Sequence, residues 1–523
     1  MLLDLNDLPP DQELSADVCI VGAGAVGLAL ATDLARKGIK VVVLESGGKT
    51  LENDSQKLSE GFSTGRTFNH VDVGRYRVLG GSTTFWGGQV SIFDQVVFEN
   101  RPWVHTNGWP FGREKILPYY DRAFSALGLS SVIKSDADVW RKAGLSTPDL
   151  GDKLELVLSR WTPVRNFARI FQNEILNSPS LRVMIHATLD KIELIGSVVS
   201  AITARSLHGH KIRIRAGKFI LACGTIEIAR ILLEHSNRDG HKAPWAGNPW
   251  VGRGFTDHIV GVGGEVTVID RGKFQQAFDN IYLGGYRYSP KIHLKGKYQI
   301  ENRLVDIGAQ FEFDSDYSAH LENIKLFLRS IREGGIPNNF AKLPEHILSV
   351  SAIALPLIAR YLISHRSYKP NNSKAKLVFF SEQITAQESN ISLSEKLDSF
   401  GHPLPIINWE FDGRELNSIG EFLNIIAHEL EARGIAKIDV NEKLQRQDLA
   451  FFNNVYDNIH QMSTARMSET AQGGVVDQDL KVFGVDNLYI AGAAVFPTTG
   501  FSNPTFTAVA LALRLADHLV ATP

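Results

Sequence analysis

The segment Ala16-Asp17-Val18-Cys19-Ile20-Val21-Gly22-Ala23-Gly24-Ala25-Val26-Gly27, followed by Val41-Val42-Val43-Leu44-Glu45, constrains the fold more than any other stretch of the chain. An apolar strand runs into a glycine turn, a helix from Leu28 to Lys37 is stopped by Gly38, and a second strand ends in an acid. Gly22 permits the tight strand-to-helix turn, Gly24 lets the backbone approach a pyrophosphate, and Gly27 lets the helix pack closely on the sheet. The helix N-terminus at Ala25 faces the anion. Glu45, with Ser46 beside it, stands 18 residues beyond Gly27. It is placed to accept from both ribose hydroxyls of an adenosine, and it would repel a 2′-phosphate. The unit predicts an α/β, Rossmann-like dinucleotide-binding domain and disfavours NADP, without separating NAD from FAD.

At 523 residues the chain is too long for one compact core, so two or three lobes are expected. A net charge of −2 gives no reason to expect nucleic acid or an anionic membrane as partner. Met1 to Glu13 has no basic region followed by an apolar stretch, so no secretory signal is read and a cytoplasmic location is expected. The two cysteines, Cys19 and Cys223, lie in apolar strand-like runs and read as buried core thiols. There is no CxxCH, no cysteine cluster and no HExxH, so no metal is expected. Any redox cofactor is therefore organic, and any onward electron carrier is a separate molecule. His208-Gly209-His210 reads as a hairpin turn.

Arg182–Ile185, Asp190–Leu194, Val198–Ser206 and Lys211–Arg215 read as short strands. The run from Lys218 through Ala222 to Gly224 is a further buried strand, and a helix from Ile226 to Glu234 carries Glu227 and Arg230. Strand, glycine and helix repeat the first pattern and predict a second strand end at the same cofactor. From His258 to about Leu397 alternating strands, as in Gly261–Ile269 and Leu304–Glu312, surround a helical stretch near Tyr317–Ser367. Within it His346–His365 is mostly apolar, but Pro356 and Arg360 interrupt it, which favours a helical insertion or lid over a membrane span. Docking of a membrane or redox partner there is the second reading. The expected organisation is a discontinuous FAD-binding domain of residues 1–95, 181–257 and 455–523. A linker and covering segment spans 96–180, and an inserted α+β substrate domain, mostly antiparallel, spans 258–454.

The second strong signal is the end of the chain. It reads His460-Gln461-Met462-Ser463-Thr464-Ala465-Arg466-Met467, then Gly474-Val475-Val476-Asp477, then Asn487-Leu488-Tyr489-Ile490-Ala491-Gly492-Ala493-Ala494-Val495-Phe496-Pro497, then Asn503-Pro504-Thr505-Phe506-Thr507. Upstream lie the loop Arg77-Val78-Leu79-Gly80-Gly81-Ser82-Thr83-Thr84-Phe85-Trp86-Gly87-Gly88, the segment Gly108-Trp109-Pro110-Phe111, and Asn248 to Gly252 with Arg253 and Asp257-His258. In their order and spacing these motifs resemble the glucose–methanol–choline (GMC) oxidoreductases, nearest to pyranose oxidase-like and bacterial sugar or glycoside oxidoreductases. Residues 315–375 have no match in that pattern.

The resemblance implies FAD, held by Gly22, Gly24, Ala25, Gly27, Glu45, Ser46, Arg77, Gly80, Gly81, Ser82, Trp86, Gly87, Gly88, Ala222, Gly224, Glu227, Gly492, Ala493, Asn503 and Thr505. It makes His460 the catalytic base and Asn503 its partner. Gln383 becomes a substrate-wall candidate alongside these two, and His258 reads as structural. Relatives that tether FAD use a histidine immediately before the loop tryptophan. Here Phe85 stands there and has no nucleophilic nitrogen, so FAD is expected to be non-covalent. The residue types agree with this chemistry. Oxidising an alcohol removes a proton from oxygen, which a histidine can take, and a hydride from carbon, which flavin N5 can take. An amide can donate to the alcohol oxygen and steer the carbon. The function implied is oxidation of a secondary hydroxyl of a sugar or glycoside to a ketone, with oxygen, a quinone or a separate redox protein as acceptor. The alternatives are a non-sugar alcohol (sterol, alkyl or aryl) or a non-redox lyase of the same family.

Overall fold

The computed structural model describes all residues except 10–11, 106–107, 239–240, 315–319, 321–322, 325–342, 368–373, 412 and 523. The first motif forms as a strand, Gln12–Val21, a helix, Ala25–Arg36, and a second strand, Val41–Leu44. The first strand changes character along its length. Its early residues alternate in exposure, whereas Val18–Val21 is wholly buried, as expected where a sheet is covered on both faces. Around it lies an eight-stranded sheet in the order Leu2–Asp4, Leu181–Ile185, Val41–Leu44, Gln12–Val21, Lys211–Leu221, Val198–Arg205, Thr188–Ile195, with Leu488–Ile490 also on Lys211–Leu221. The pairs are parallel from Leu2–Asp4 through Lys211–Leu221 and on to Leu488–Ile490; the hairpin Thr188–Arg205 is antiparallel.

Two strands read separately from sequence, Lys211–Arg215 and Lys218–Gly224, are one strand, Lys211–Leu221. Ala216 and Gly217 do not break it, because its first half pairs with Val198–Arg205 and its second half with Leu488–Ile490 along the same edge. The turn at His208–His210 forms as expected, closed by Ser206 N–H donating to His210 C=O at 2.9 Å.

The second large sheet is antiparallel, in the order Ala436–Val440, Ile259–Val268, Lys374–Ser381, Ile307–Asp314, Tyr286–Leu294, Leu154–Trp161, Gln89–Val90, with Ile281–Leu283 beside Tyr286–Leu294. Two of its strands, Gln89–Val90 and Leu154–Trp161, come from before residue 181, where no substrate-domain strand was read. A third sheet, Met462–Thr464, Arg253–Thr256, Asn390–Leu397, Pro403–Trp409 and Phe62–Gly65, lies between the segments that build the other two. Of the helix expected over 317–367, Leu343–Ser364 is helical, and much of the rest lies outside the described residues. Leu343–Ser351 and Pro356–Ser364 meet at 68°, and Pro356 has no N–H for the helical ladder. No single helix among the described residues is long and apolar enough to cross a membrane.

One buried ion cluster ties these parts together. Glu382, directly after Lys374–Ser381, is wholly buried and receives the Arg101 guanidinium through both oxygens, at 2.6 and 2.9 Å. The same carboxylate accepts from the N–H of Asp306 at 3.0 Å, of Thr499 at 3.3 Å and of Gly500 at 3.1 Å. Asp306 in turn accepts from Phe501 N–H at 3.0 Å and from the ring of His293 at 2.8 Å. The loop at 499–501 is thus fixed to the antiparallel sheet by charge. Glu382→Leu leaves the Arg101 charge and the loop amides buried without a partner. It is expected to cost about 3–5 kcal/mol, the usual penalty for breaking a buried pair, read as a lowered midpoint in chemical denaturation, with Glu382→Gln in between.

Candidate active site

The ends of three strands open onto one cavity of about 530 Å³. Gly22, Gly24 and Ala25 line it after the first strand, Ala222 and Gly224 after Lys211–Leu221, and Gly492 and Ala493 after Leu488–Ile490. Three helices, Ala25–Arg36, Thr225–His235 and Thr505–Ala521, begin at its wall, so three sets of free N–H groups and three positive dipole ends converge there. Gly24, Gly224 and Gly492 border open space where a side chain would stand. Glu45 is 5% exposed and still reaches the wall, where its carboxylate accepts from Ala23 and Gly47 N–H at 3.0 Å each. Burial pushes its pKa up against these hydrogen bonds. Ser46, Arg77, Gly81, Ser82, Trp86, Gly87, Glu227 and Thr505 line the same space.

Three glycines assigned to the cofactor from sequence are not on the wall. Gly27 sits behind Gly22, where a Cβ would stand 1.9 Å from the Gly22 oxygen, so its role is close helix–turn packing. Gly80 and Gly88 have φ of 98° and 86° and shape the loop in the left-handed region. Cys223 is half-buried, packing against the core while also lining the cavity, and both cysteines are free. Glu227 is held by Arg75 at 3.3 Å, by Arg230 at 3.1 Å and by Arg77. Burial alone would raise its pKa, but Arg77, Arg230 and Arg75 outweigh it and bring it to about 2. Arg75 and Asn458, both on the wall, were not singled out in the sequence; the pair Arg75 and Arg77 around Tyr76 was the available signal for the first.

His460 and Asn503, 43 residues apart, both line this cavity and are half-buried. The backbone of His460 is fixed by Asp257, a buried carboxylate that accepts from His460 N–H at 2.9 Å, Asn458 N–H at 3.1 Å and His258 N–H at 2.7 Å. Burial and the neighbouring Asp457 push the Asp257 pKa well up. The His460 ring meets His258 edge to face, with Nδ1 to Nδ1 at 3.0 Å, and the Asn458 side-chain amide lies 3.0 Å from the same Nδ1. Both of these contacts are made at Nδ1. Burial, with the charge of Lys291 added, lowers the His460 pKa to about 3. The His258 ring is wholly buried, and its pKa too is pushed well down by burial and by His460.

Gln383 is not brought to the cavity. It is 1% exposed, accepts from Trp409 Nε1 at 2.8 Å and Asp257 N–H at 3.2 Å, and donates to Glu410 C=O at 2.8 Å. It therefore braces the Asp257 segment between the strands Arg253–Thr256 and Ile259–Val268. The Asp94, Glu155 and His293 cluster groups atoms of metal-binding type, but both His293 nitrogens already face carboxylates, Glu155 and Asp306, at 2.8 Å. Asp306 and Glu155 outweigh the effect of burial and raise the His293 pKa to about 10, so the ring is a cation with no free lone pair.

A dinucleotide carrying a flavin ring fits this donor set: side-chain-free walls at three helix N-termini, an acid at the second strand end, and an aromatic loop at Trp86. The comparisons agree. Residues 385–512 match the model of the GMC oxidoreductase family, and residues 17–66 match that of FAD dependent oxidoreductases. The chain is 23% identical to 6'''-hydroxyparomomycin C oxidase of Streptomyces lividus, over 97% of this chain and 92% of that protein. It is 35% identical to C-glycoside 3-oxidase of Arthrobacter globiformis over a shorter stretch, 23% of this chain and 22% of that one. The fold is shared with pyridoxine 4-oxidase from Mesorbium loti at a TM-score of 0.61 and 15% identity, over 97% of this chain and 100% of that one. The chain is similar to GMC oxidoreductases along its C-terminal part and is an FAD-dependent oxidoreductase acting on CH–OH groups.

Proposed function

We propose that the protein oxidises a secondary hydroxyl of a sugar or glycoside to the ketone, with His460 as the base, Asn503 orienting the alcohol oxygen, and FAD bound without a covalent link. The observation that carries this reading is the meeting of His460 and Asn503 on the wall of the cavity that three helix N-termini surround. Among the relatives, C-glycoside 3-oxidase acts by name on a glycoside, which supports the substrate class. Bound FAD supplies the two-electron acceptor.

The chain's own residues account for the proton. To accept the hydroxyl proton at Nε2, the neutral His460 ring must carry its own proton on Nδ1. Nδ1 has two neighbours at 3.0 Å that can receive it: His258 through its Nδ1, and Asn458 through its carbonyl oxygen once the amide is turned. His258 then holds its proton on Nε2, beside the Gly500 carbonyl but beyond close hydrogen-bond geometry. The histidine pair thereby sets the tautomer of the base. Asn503, at the turn before Thr505–Ala521, has an amide that can donate to the alcohol oxygen and point the carbon across the cavity.

His460→Ala is expected to slow anaerobic flavin bleaching by an oxidisable alcohol about 10²–10⁴-fold, the usual loss for a general base, while flavin absorbance shows FAD still bound; unchanged bleaching overturns the assignment. The lowered His460 pKa gives the sign of the acid limb. The ring is already neutral well above pH 3, so kcat/KM for an uncharged alcohol is expected to be level from about pH 7 to 5 and to fall only as protonation begins below that. An acid limb centred near 6.5 would mean that burial does not set the base. Acid precipitation of the holoenzyme is expected to leave the flavin in the supernatant; yellow pellet protein would show a covalent link.

A further inference from the structure

The helix Leu343–Ser364 reverses the usual arrangement of a surface helix. Ile347, Leu348, Ile358, Tyr361, Leu362 and Ile363 are all exposed, Leu348 and Ile363 to 75% and 80%. Arg360 turns inward instead, donating to the buried Asp279 carboxylate and to the Ser367 carbonyl, both at 2.8 Å. A helix at rest against a protein in water buries its apolar stripe and solvates its charges.

The body of the protein holds this reversed face in place. The Tyr361 ring meets Tyr282 edge to face at 5.0 Å, and Tyr282 N–H donates to His365 C=O at 2.8 Å. Arg366, two residues beyond the helix, is buried and donates to the carbonyls of Gln275 at 2.6 Å and of Gln276 and Asp279 at 3.0 Å each. The limb Pro356–Ser364 is thereby fixed, and its outward side chains keep their direction. Tyr282 stands opposite Arg287 on the adjoining strand, and Arg287 lies 4.1 Å over the ring of Trp161, which lines the cavity. The limb and one wall of the cavity thus rest on the same hairpin.

Charge decides what such a face meets. The chain as a whole carries a net charge of −2, but residues 321–376 hold nine Lys and Arg against three Asp and Glu. The surplus stands on both sides of the apolar run in sequence, with Lys342 before it and Arg366, Lys369, Lys374 and Lys376 after it. Lys374 is exposed, and so are Arg271 and Lys273 on the helix Arg271–Phe278, whose carbonyls hold Arg366. Two copies joined through this face would bring like charges together, whereas an anionic surface answers them. Apolar side chains rimmed by cations match the interface of an anionic bilayer, where acyl chains take the first and headgroup phosphates the second. The limbs Leu343–Ser351 and Pro356–Ser364 meet at 68°. Each is about 13 Å long by helical rise, less than half of a hydrocarbon core of about 30 Å, so the helix lies in the surface and does not cross.

We propose that the bent helix Leu343–Ser364 is an interfacial anchor that docks the protein on a bilayer containing anionic phospholipid. Ile358, Leu362 and Ile363 enter the acyl boundary, and the surrounding lysines and arginines meet the phosphates.

The test sediments the FAD-loaded protein with vesicles of phosphatidylcholine, or of phosphatidylcholine mixed with phosphatidylglycerol. Binding to the mixed vesicles is expected, weakening as salt is raised, and binding to phosphatidylcholine alone is expected to be about tenfold weaker or more. The double variant Leu362→Asp/Ile363→Asp is expected to lose about a hundredfold or more in affinity for the mixed vesicles. Both side chains are exposed, so its flavin absorbance is expected to match that of the wild type and to show an intact fold. Lys374→Gln is expected to weaken binding to the mixed vesicles about fivefold and to leave phosphatidylcholine binding unaltered. Absence of sedimentation with either vesicle overturns the proposal, as does binding that the double variant retains. Equal binding to the two vesicles overturns the anionic preference. Light scattering without vesicles covers the other occupant: a dimer that the double variant dissolves, with no vesicle binding, makes the face a contact between copies and overturns the lipid anchor.

Discussion

The carboxylate of Glu382 is the interaction on which the rest depends. A charge taken wholly out of water is costly unless donors surround it, and Glu382 is surrounded by donors from three separate stretches of chain. Arg101 comes from the segment between Gln89–Val90 and Leu154–Trp161, Asp306 from the entry to Ile307–Asp314, and Thr499 and Gly500 from the tail. An apolar side chain of the same volume would fill the space but would not orient these N–H groups. The charge imposes direction where packing would impose only proximity. Because Phe501 and Asn503 follow Gly500 immediately, that direction passes into the cavity.

The electrostatics of His460, the proposed base, follow from a second buried acid. Asp257 holds the backbone of both histidines, so the two rings meet with Nδ1 facing Nδ1. One of those nitrogens must then donate and the other accept, and the arrangement tolerates only one proton between them. Burial and Lys291 keep His460 neutral, which makes it available as an acceptor but a weak one. A base so far below neutral pKa gains strength only when negative charge arrives beside it. In the proposed reaction proton uptake is therefore coupled to charge movement and does not precede it.

The sequence exposed what is local. The glycine turn at 22–27 with Glu45, and the ordered tail motifs around His460 and Asn503, are written in contiguous residues whose backbone demands are specific. The strand break expected between Arg215 and Lys218 failed because continuity there depends on two partners far apart in the chain. Gln383 was taken for a substrate wall because it sits in a family-like segment, whereas its three hydrogen bonds to Asp257, Trp409 and Glu410 are tertiary facts. His258 was read as structural beside Asp257. Its contact with the His460 ring emerges only when a residue 202 positions away in sequence comes to 3.0 Å. Lys291 carries no local signal at all, since a buried cation without an ion-pair partner among the described residues is defined by what fails to surround it.

That last point bears on how the two large sheets differ. The walls made by helix N-termini recognise phosphate through backbone N–H groups, and such groups are supplied by any glycine turn of this geometry. The antiparallel sheet contributes side chains instead, and these are free to differ between proteins that share the nucleotide unit. Lys291 and Phe380 project from this sheet toward the loop of Phe501, close enough for the lysine charge to lower the pKa of the base. That charge holds down the proton affinity of His460 from a sheet that lies outside the nucleotide unit.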